Sequence, residues 1–366
     1  MMRSFSVAAL VVGAVIATPV PQGFDWDAIA DLAPVPSASI PIVNAAAQQT
    51  TVSFAATAAA SSVSSAVLAQ PTDTSLRMVK RGDNSACAVQ PSSQDTASAF
   101  SSNQDFAADA NNAVTPVGYT LAYSNKAGSS EGVYGYMGYS LLDTYDTPTC
   151  AARCDSVQGC SSFNIYLERD PSQDPTSTCS DPASTTVIKC VYYGGPVTAA
   201  SATNVGQWRD DFHVVIAGSN GYINNSISTP AGYTGPVALG NAAINAPVDC
   251  AGRDTYMGVK IFTSGPFDAS LCAAACSSQS VYNLAHPPQN GVAQTCQFFN
   301  TYVLYNGTQS VGQYCSLYNE SWPASFATNV GQYRGADHFT VGYSYTFSNT
   351  TGGAEVPAGC TNPARP

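Results

Sequence analysis

Ala202-Thr203-Asn204-Val205-Gly206-Gln207-Trp208-Arg209 returns as Ala327-Thr328-Asn329-Val330-Gly331-Gln332-Tyr333-Arg334. Seven of the eight residues are identical and the eighth exchanges one aromatic for another. Self-similarity on this scale marks a repeated structural unit, and it continues upstream in the same order. Tyr136-Met137-Gly138 answers Tyr256-Met257-Gly258, and Cys150-Ala151-Ala152-Arg153-Cys154 answers Cys272-Ala273-Ala274-Ala275-Cys276. Cys160-Ser161-Ser162-Phe163-Asn164-Ile165-Tyr166 answers Cys296-Gln297-Phe298-Phe299-Asn300-Thr301-Tyr302, and Cys190 and Cys315 stand equally far before the octamer. The chain carries a duplication.

Each block has a local reading. Asp146 or Thr147, with Pro148 in the first turn, starts a helix; Asp268 or Ser270 does so in the second copy. Two cysteines four apart then share one helical face. In the strand that follows, Phe163, Ile165 and Leu167 alternate with Ser162, Asn164 and Tyr166, as Phe299, Thr301 and Val303 alternate with Phe298, Asn300 and Tyr302. Val191 to Tyr193, Phe212 to Ala217 and Phe339 to Phe347 read as further strands. The expected class is α+β, with a short helix on a small antiparallel sheet in each copy.

Around the repeats, composition divides the chain. Arg3 precedes an uncharged apolar run from Phe5 to Ile16, and Val15 and Ala17 stand at the small-residue positions of a cleavage site. This is the pattern of a secretory signal peptide, residues 1–17, and the run is too short to span a bilayer. Residues 18–81 are rich in Ala, Ser, Thr, Val and Pro, hold no cysteine and are expected to stay largely unfolded as a pro-segment. They end at Lys80-Arg81, a dibasic site for a processing protease of the kexin type, whose cut would also divide the tripeptide Arg81-Gly82-Asp83. The expected layout is a first module over 82–220, a linker over 221–249 and a second module over 250–366.

All twelve cysteines follow the dibasic site, which points to disulfides and an oxidising compartment. Four N-x-S/T sequons, at Asn224, Asn306, Asn319 and Asn349, agree with a secreted or cell-wall glycoprotein. Up to Arg81 the charges balance, Arg3, Arg77, Lys80 and Arg81 against Asp25, Asp27, Asp31 and Asp73, so the net −11 falls wholly on the later region. An acidic surface repels phosphate backbones and anionic lipid, so no nucleic-acid partner and no membrane insertion are expected.

A Cys-bearing helical turn, then Cys-x-x-Phe, then another Cys ahead of a strand resembles the PAN/apple module. Both copies carry it, as Cys150, Cys154, Cys160-x-x-Phe163, Cys190 and as Cys272, Cys276, Cys296-x-x-Phe299, Cys315. The two-copy arrangement with its pro-segment also looks like a group of secreted proteins of filamentous fungi. The resemblance implies two tandem disulfide-stapled PAN/apple-like modules with the pairs Cys150–Cys190, Cys154–Cys160, Cys272–Cys315 and Cys276–Cys296. It further implies an end-joining pair, Cys250–Cys360; Cys87 and Cys179 are left over and are paired by elimination. PAN/apple-like modules bind protein or carbohydrate, so the resemblance implies a cell-wall glycan or extracellular protein as partner.

Tests for chemistry find little. His213 and His338 occupy the same place in the two copies, beside Asp210, Asp211 and Asp337, and read as strand residues retained from the duplication. His286, ahead of Pro287-Pro288, reads as a loop residue, and Asp170, Asp174 and Asp181 read as a solvated loop lacking the EF-hand pattern. No nucleophile setting, carboxylate pair or phosphate loop stands out, so no catalytic residue, metal or cofactor is expected. Binding then falls to aromatics able to stack on sugars or anchor partners: Tyr134, Tyr136, Tyr139, Tyr192, Tyr193, Trp208 and Tyr333. The expected function is a secreted non-enzymatic binding protein; the alternatives are a structural cell-wall or matrix glycoprotein without a discrete ligand and, behind it, an unrecognised hydrolase.

Overall fold

The computed structural model describes residues 23–36, 50–68, 87–88, 90–289 and 291–351. The signal peptide, Lys80-Arg81 and Cys360 lie outside them. The N-terminal part contributes α1 (Trp26–Ala30), β1 (Thr50–Thr51) and α2 (Ala56–Leu68). The first module follows with α3 (Ala97–Ser101), α4 (Gln104–Asn112), β2 (Tyr119–Lys126), β3 (Tyr136–Leu142), α5 (Thr147–Ser156), β4 (Ser162–Pro171), β5 (Ser184–Tyr193), β6 (Gly206–Arg209) and β7 (Phe212–Asn224). The second has β8 (Tyr233–Gly240), β9 (Ala243–Ile244), β10 (Tyr256–Phe262), α6 (Ala269–Ala285), β11 (Phe298–Asn306), β12 (Gln309–Tyr318), β13 (Ala327–Asn329), β14 (Gly331–Arg334) and β15 (Asp337–Asn349).

The two sheets have one topology. Strands β3-β5-β4-β7-β2 lie side by side with β6 also on β7, and β10-β12-β11-β15 lie side by side with β8 and β14 both on β15. Every pairing is antiparallel, as expected of an α+β module with short connections. The repeated octamer survives because its hairpin demands it. Gly206 and Gly331 hold φ of 107° and 124°, and a Cβ there would lie 2.0 Å from the Val214 carbonyl oxygen and 2.1 Å from that of Phe339. Asn204 and Asn329 each accept the backbone N–H of that glycine through Oδ1, at 3.1 and 3.2 Å.

Asp146 and Asp268 are the N-caps of α5 and α6, accepting from the backbone N–H of Thr149 and Ser270. Each helix presents two half-cystines to its sheet. Cys150 is bonded to Cys190 and Cys154 to Cys160, Cys272 to Cys315 and Cys276 to Cys296, with Cα–Cα distances of 5.2–5.7 Å. These are the pairs the resemblance implies. Cys87 is bonded to Cys179, and Cys250 is disulfide-bonded with its expected partner outside the described residues. Each bridge contributes roughly 2–4 kcal/mol, largely through the unfolded chain.

Two expectations are overturned. Residues 221–249 are not a linker: β7 runs to Asn224, and β8 and β9 belong to the second module. Strand β8 holds Gly235, Pro236 and Gly240 and reads as loop, yet an edge strand tolerates a residue that cannot donate to the ladder. The described parts of the segment 18–81 are not unfolded either. Thr50 and Thr51 pair with Tyr139 and Gly138 on the edge of the first sheet, and Phe54 packs on that module's helix-side core. Helix α2 packs along α6, and Phe24 and Trp26 enter the core of the second module.

The alternation along β4 also means something other than inside and outside, because all ten of its residues are buried. Phe163 and Ile165 face α5 with Tyr192 and Tyr222, while Tyr166 faces a second core with Tyr139, Val191, Tyr193 and Ile216. A central strand covered on both faces has no solvent side.

Helix α3 is tied to this sheet by charge. Arg169 is buried, its guanidinium 4.1 Å above the Phe212 ring and 2.9 Å from Asp95 Oδ1. Burial alone would raise the Asp95 carboxyl, but hydrogen bonds from Ser184 and the Arg169 pair hold it below its ordinary 3.8. A lowered folded pKa gives stability that is present above the unfolded value and lost as pH falls through the folded one. Asp95→Asn should therefore cost about 2–3 kcal/mol at pH 7, by leaving Arg169 without its anion. The gap from wild type should narrow below about pH 4 in urea titrations; a gap constant from pH 7 to pH 3 contradicts this account.

Candidate functional site

Most of the aromatics singled out from sequence are structural. Tyr134, Tyr139, Tyr192 and Tyr193 are only 1–3 % exposed, because each points into one of the two buried faces of the first sheet or the module junction. At that burial none of the four can stack on an external ligand. Their hydroxyls are placed inside: Tyr192 bonds Ser140, Tyr193 donates to the Ser130 carbonyl at 2.9 Å, and Tyr134 donates to the Ser264 carbonyl at 3.1 Å. Tyr136 is half-buried against Tyr193, edge to face at 6.2 Å.

Trp208 and Tyr333 are different, at 66 % and 72 % exposed. Each stands on the outer strand of its hairpin directly across from a histidine, Trp208 opposite His213 and Tyr333 opposite His338. The rings stack at 4.1 Å in both copies, 7° and 8° from parallel. The two histidines are thus partners of an exposed cross-strand pair. Asp170 does not lie in a solvated loop; it is fully buried at the end of β4 beside Lys189, while Asp174 pairs with Arg209 at 3.0 Å. No three His, Cys, Asp or Glu among the described residues are placed to hold a metal. Nor is any described helix long and apolar enough to cross a membrane. The sequon asparagines Asn224, Asn306, Asn319 and Asn349 are all half-buried at strand ends.

One concavity was missed in reading the sequence. A groove of about 690 Å³ runs between the modules, with Pro196, Thr198 and Ile223 on one wall and Tyr305, His338 and Tyr343 on the other. Backbone bonds fix these walls: Phe267 N–H donates to the Gly194 carbonyl at 2.8 Å and Ser310 N–H to the Gly132 carbonyl at 3.1 Å. The lining includes hydroxyls and one amide, from Thr198, Thr308, Thr340, Ser344 and Asn241, and among the described residues no Asp, Glu, Lys or Arg.

Tyr343 is the unusual residue of this wall. It sits in β15 at a register shift against β11, with φ of 54°. The same shift occurs in β7 against β4, and the residue there is Gly218, with φ of 57°. Left-handed backbone is free to glycine and costs a bulky residue roughly 1–2 kcal/mol. The second copy therefore carries strain that the first avoids, and strain of this kind gathers at functional positions. The Tyr343 ring meets Phe267 at 5.0 Å and Tyr345 at 5.1 Å, and burial pushes the hydroxyls of Tyr343 and Tyr305 up.

A buried asparagine holds the bulge in each copy. Asn300 Oδ1 accepts from Ile244 N–H at 2.8 Å, and its Nδ2 donates to Ser344 Oγ and the Tyr345 carbonyl at 2.9 Å each. Asn164 does the same with Ser130 N–H, Ser219 Oγ and the Asn220 carbonyl, at 2.8, 2.9 and 2.9 Å. The signal for Tyr343 was present in the sequence: carrying the alignment of His213 with His338 forward sets Gly218 against Tyr343.

No family model, no curated protein and no solved structure matches this chain.

Proposed function

We propose that the chain is a secreted, non-enzymatic binding protein built of two tandem PAN/apple-like modules, and that it takes a neutral glycan in the groove between them. The observation that carries the reading is Tyr343, an aromatic held in strained backbone on the groove wall where the sister copy has glycine. Tyrosine rings supply apolar faces for sugar C–H surfaces, and hydroxyl and amide groups beside them fix orientation. A lining whose described residues carry no carboxylate, ammonium or guanidinium suits an uncharged ligand. Exposed Trp208 and Tyr333 offer further stacking platforms outside the groove.

The test is titration of the secreted chain with chitin, β-glucan and mannan fragments. Tyr343→Gly should lower affinity at least tenfold in molecules that remain folded, at a stability cost of about 1–4 kcal/mol, since relief of about 1–2 kcal/mol of backbone strain offsets only part of the lost packing. Binding unchanged in Tyr343→Gly would move the site elsewhere. If wild type binds no glycan, the carbohydrate reading fails and an extracellular protein becomes the ligand to seek. A structural cell-wall glycoprotein is the second reading, favoured by the burial of Tyr134, Tyr139, Tyr192 and Tyr193.

A further inference from the structure

The second face of each sheet is an aromatic core, and the two copies complete it differently. In the first module Tyr139, 2 % exposed, lies on β3 among Tyr166, Tyr193, Val191 and Ile216. Its counterpart on β10 is Val259, one residue after the shared Tyr-Met-Gly, and valine is too small to fill the same space. Phe24 supplies the missing ring. It packs at 7 % exposure among Tyr302, Tyr314, Leu304, Phe339 and Val341, of which Tyr302 and Val341 correspond to Tyr166 and Ile216. Trp26 follows, edge-on to Phe24 at 5.7 Å and to Phe339 at 4.9 Å, with the Arg334 guanidinium 4.8 Å from its ring. Asp25 between them caps α1 by accepting the Ala28 N–H at 3.0 Å. The void left beside them is about 10 Å³, too little for more than one water.

We propose that this slot of the second module is a binding site for a short peptide of Phe-x-Trp type, and that Phe24-Asp25-Trp26 occupies it as an intramolecular ligand. One module closes its face with a residue of its own sheet; the other leaves it open and takes the ring from a segment outside both repeats. Two aromatic anchors in a tyrosine-walled slot, backed by a cation over the indole, are the features by which a groove captures a peptide. While the segment is seated, the slot is closed to any competitor.

The full chain bearing Phe24→Ala and Trp26→Ala, and the wild-type full chain, are titrated with a labelled synthetic peptide spanning Gly23 to Pro36. The double variant should bind it saturably and at least tenfold more tightly than wild type, whose slot is filled. A folded double variant that binds no better than wild type overturns the proposal. Should that variant fail to be secreted, Val259→Tyr is the second probe, since it installs the first module's own filler. Chymotrypsin should then cut after Phe24 or Trp26 at least tenfold faster than in wild type, with the sheet intact by circular dichroism. Equal protection of Phe24 and Trp26 in Val259→Tyr also overturns it.

Discussion

Lys189→Met is expected to lower stability by about 3–5 kcal/mol at neutral pH, enough to leave the first module marginal. Lys189 and Asp170 are fully buried and Glu168 is 4 % exposed, so three charges share the interior where β4 meets β5. The ammonium bonds Glu168 and lies 3.8 Å from Asp170 Oδ2. Methionine fills much of the volume but strands two carboxylates without a cation, and an uncompensated buried charge costs far more than the pair contributed. The second copy shows the uncharged solution, with Tyr314 at the place of Lys189, Leu304 at that of Glu168 and Asn306 at that of Asp170. The triple change Lys189→Tyr, Glu168→Leu and Asp170→Asn should recover most of the loss. Urea unfolding followed by circular dichroism decides the matter; a single variant within 1 kcal/mol of wild type would show that the cluster is hydrated.

Asn300→Ala should cost about 3 kcal/mol and weaken glycan binding as well. Truncation leaves the Ile244 N–H and the Tyr345 carbonyl without the partner they have in the protein, and each buried unpaired group costs roughly 1–3 kcal/mol. Those same bonds hold the bulge that carries Tyr343, so affinity should fall in molecules that remain folded. Asn164→Ala is the control. It breaks the matching bonds in the first module, so it should cost a similar stability while leaving affinity near wild type. Equal loss of binding in both variants would mean that Asn300 acts only through global stability, and thermal melts beside titrations separate the cases.

What could be read from the sequence was whatever backbone or covalent geometry forces residue by residue. The octamer is one case, since Gly206 and Gly331 admit no side chain and Asn204 and Asn329 brace them. The helix starts at Asp146 and Asp268 are another. What could not be read depends on what lies across from a residue. Tyr139, Tyr192 and Tyr193 look like a sugar-stacking array in one dimension, and only a sheet covered on both sides makes them core. The segment 18–81 is poor in large apolar residues, yet Phe24 and Trp26 dock because the second module has a vacancy of their shape. Pairing Tyr233–Gly240 with the second sheet needed β15 to be in place. The groove arises from two modules meeting, so no single stretch announces it, although Tyr343 opposite Gly218 was there to be compared.

The seating of Phe24 also sets an order of events at the ribosome. Phe24 emerges well before its partners Tyr302, Tyr314, Phe339 and Val341, which follow it by 278 to 317 residues. At about 5–20 residues per second, the N-terminal segment waits on the order of 15–60 seconds for its slot to exist. Through that interval the first module, which fills its own face with Tyr139, can close and oxidise alone. The second module meets the opposite situation: the ring it lacks is already present and tethered when its last strand arrives.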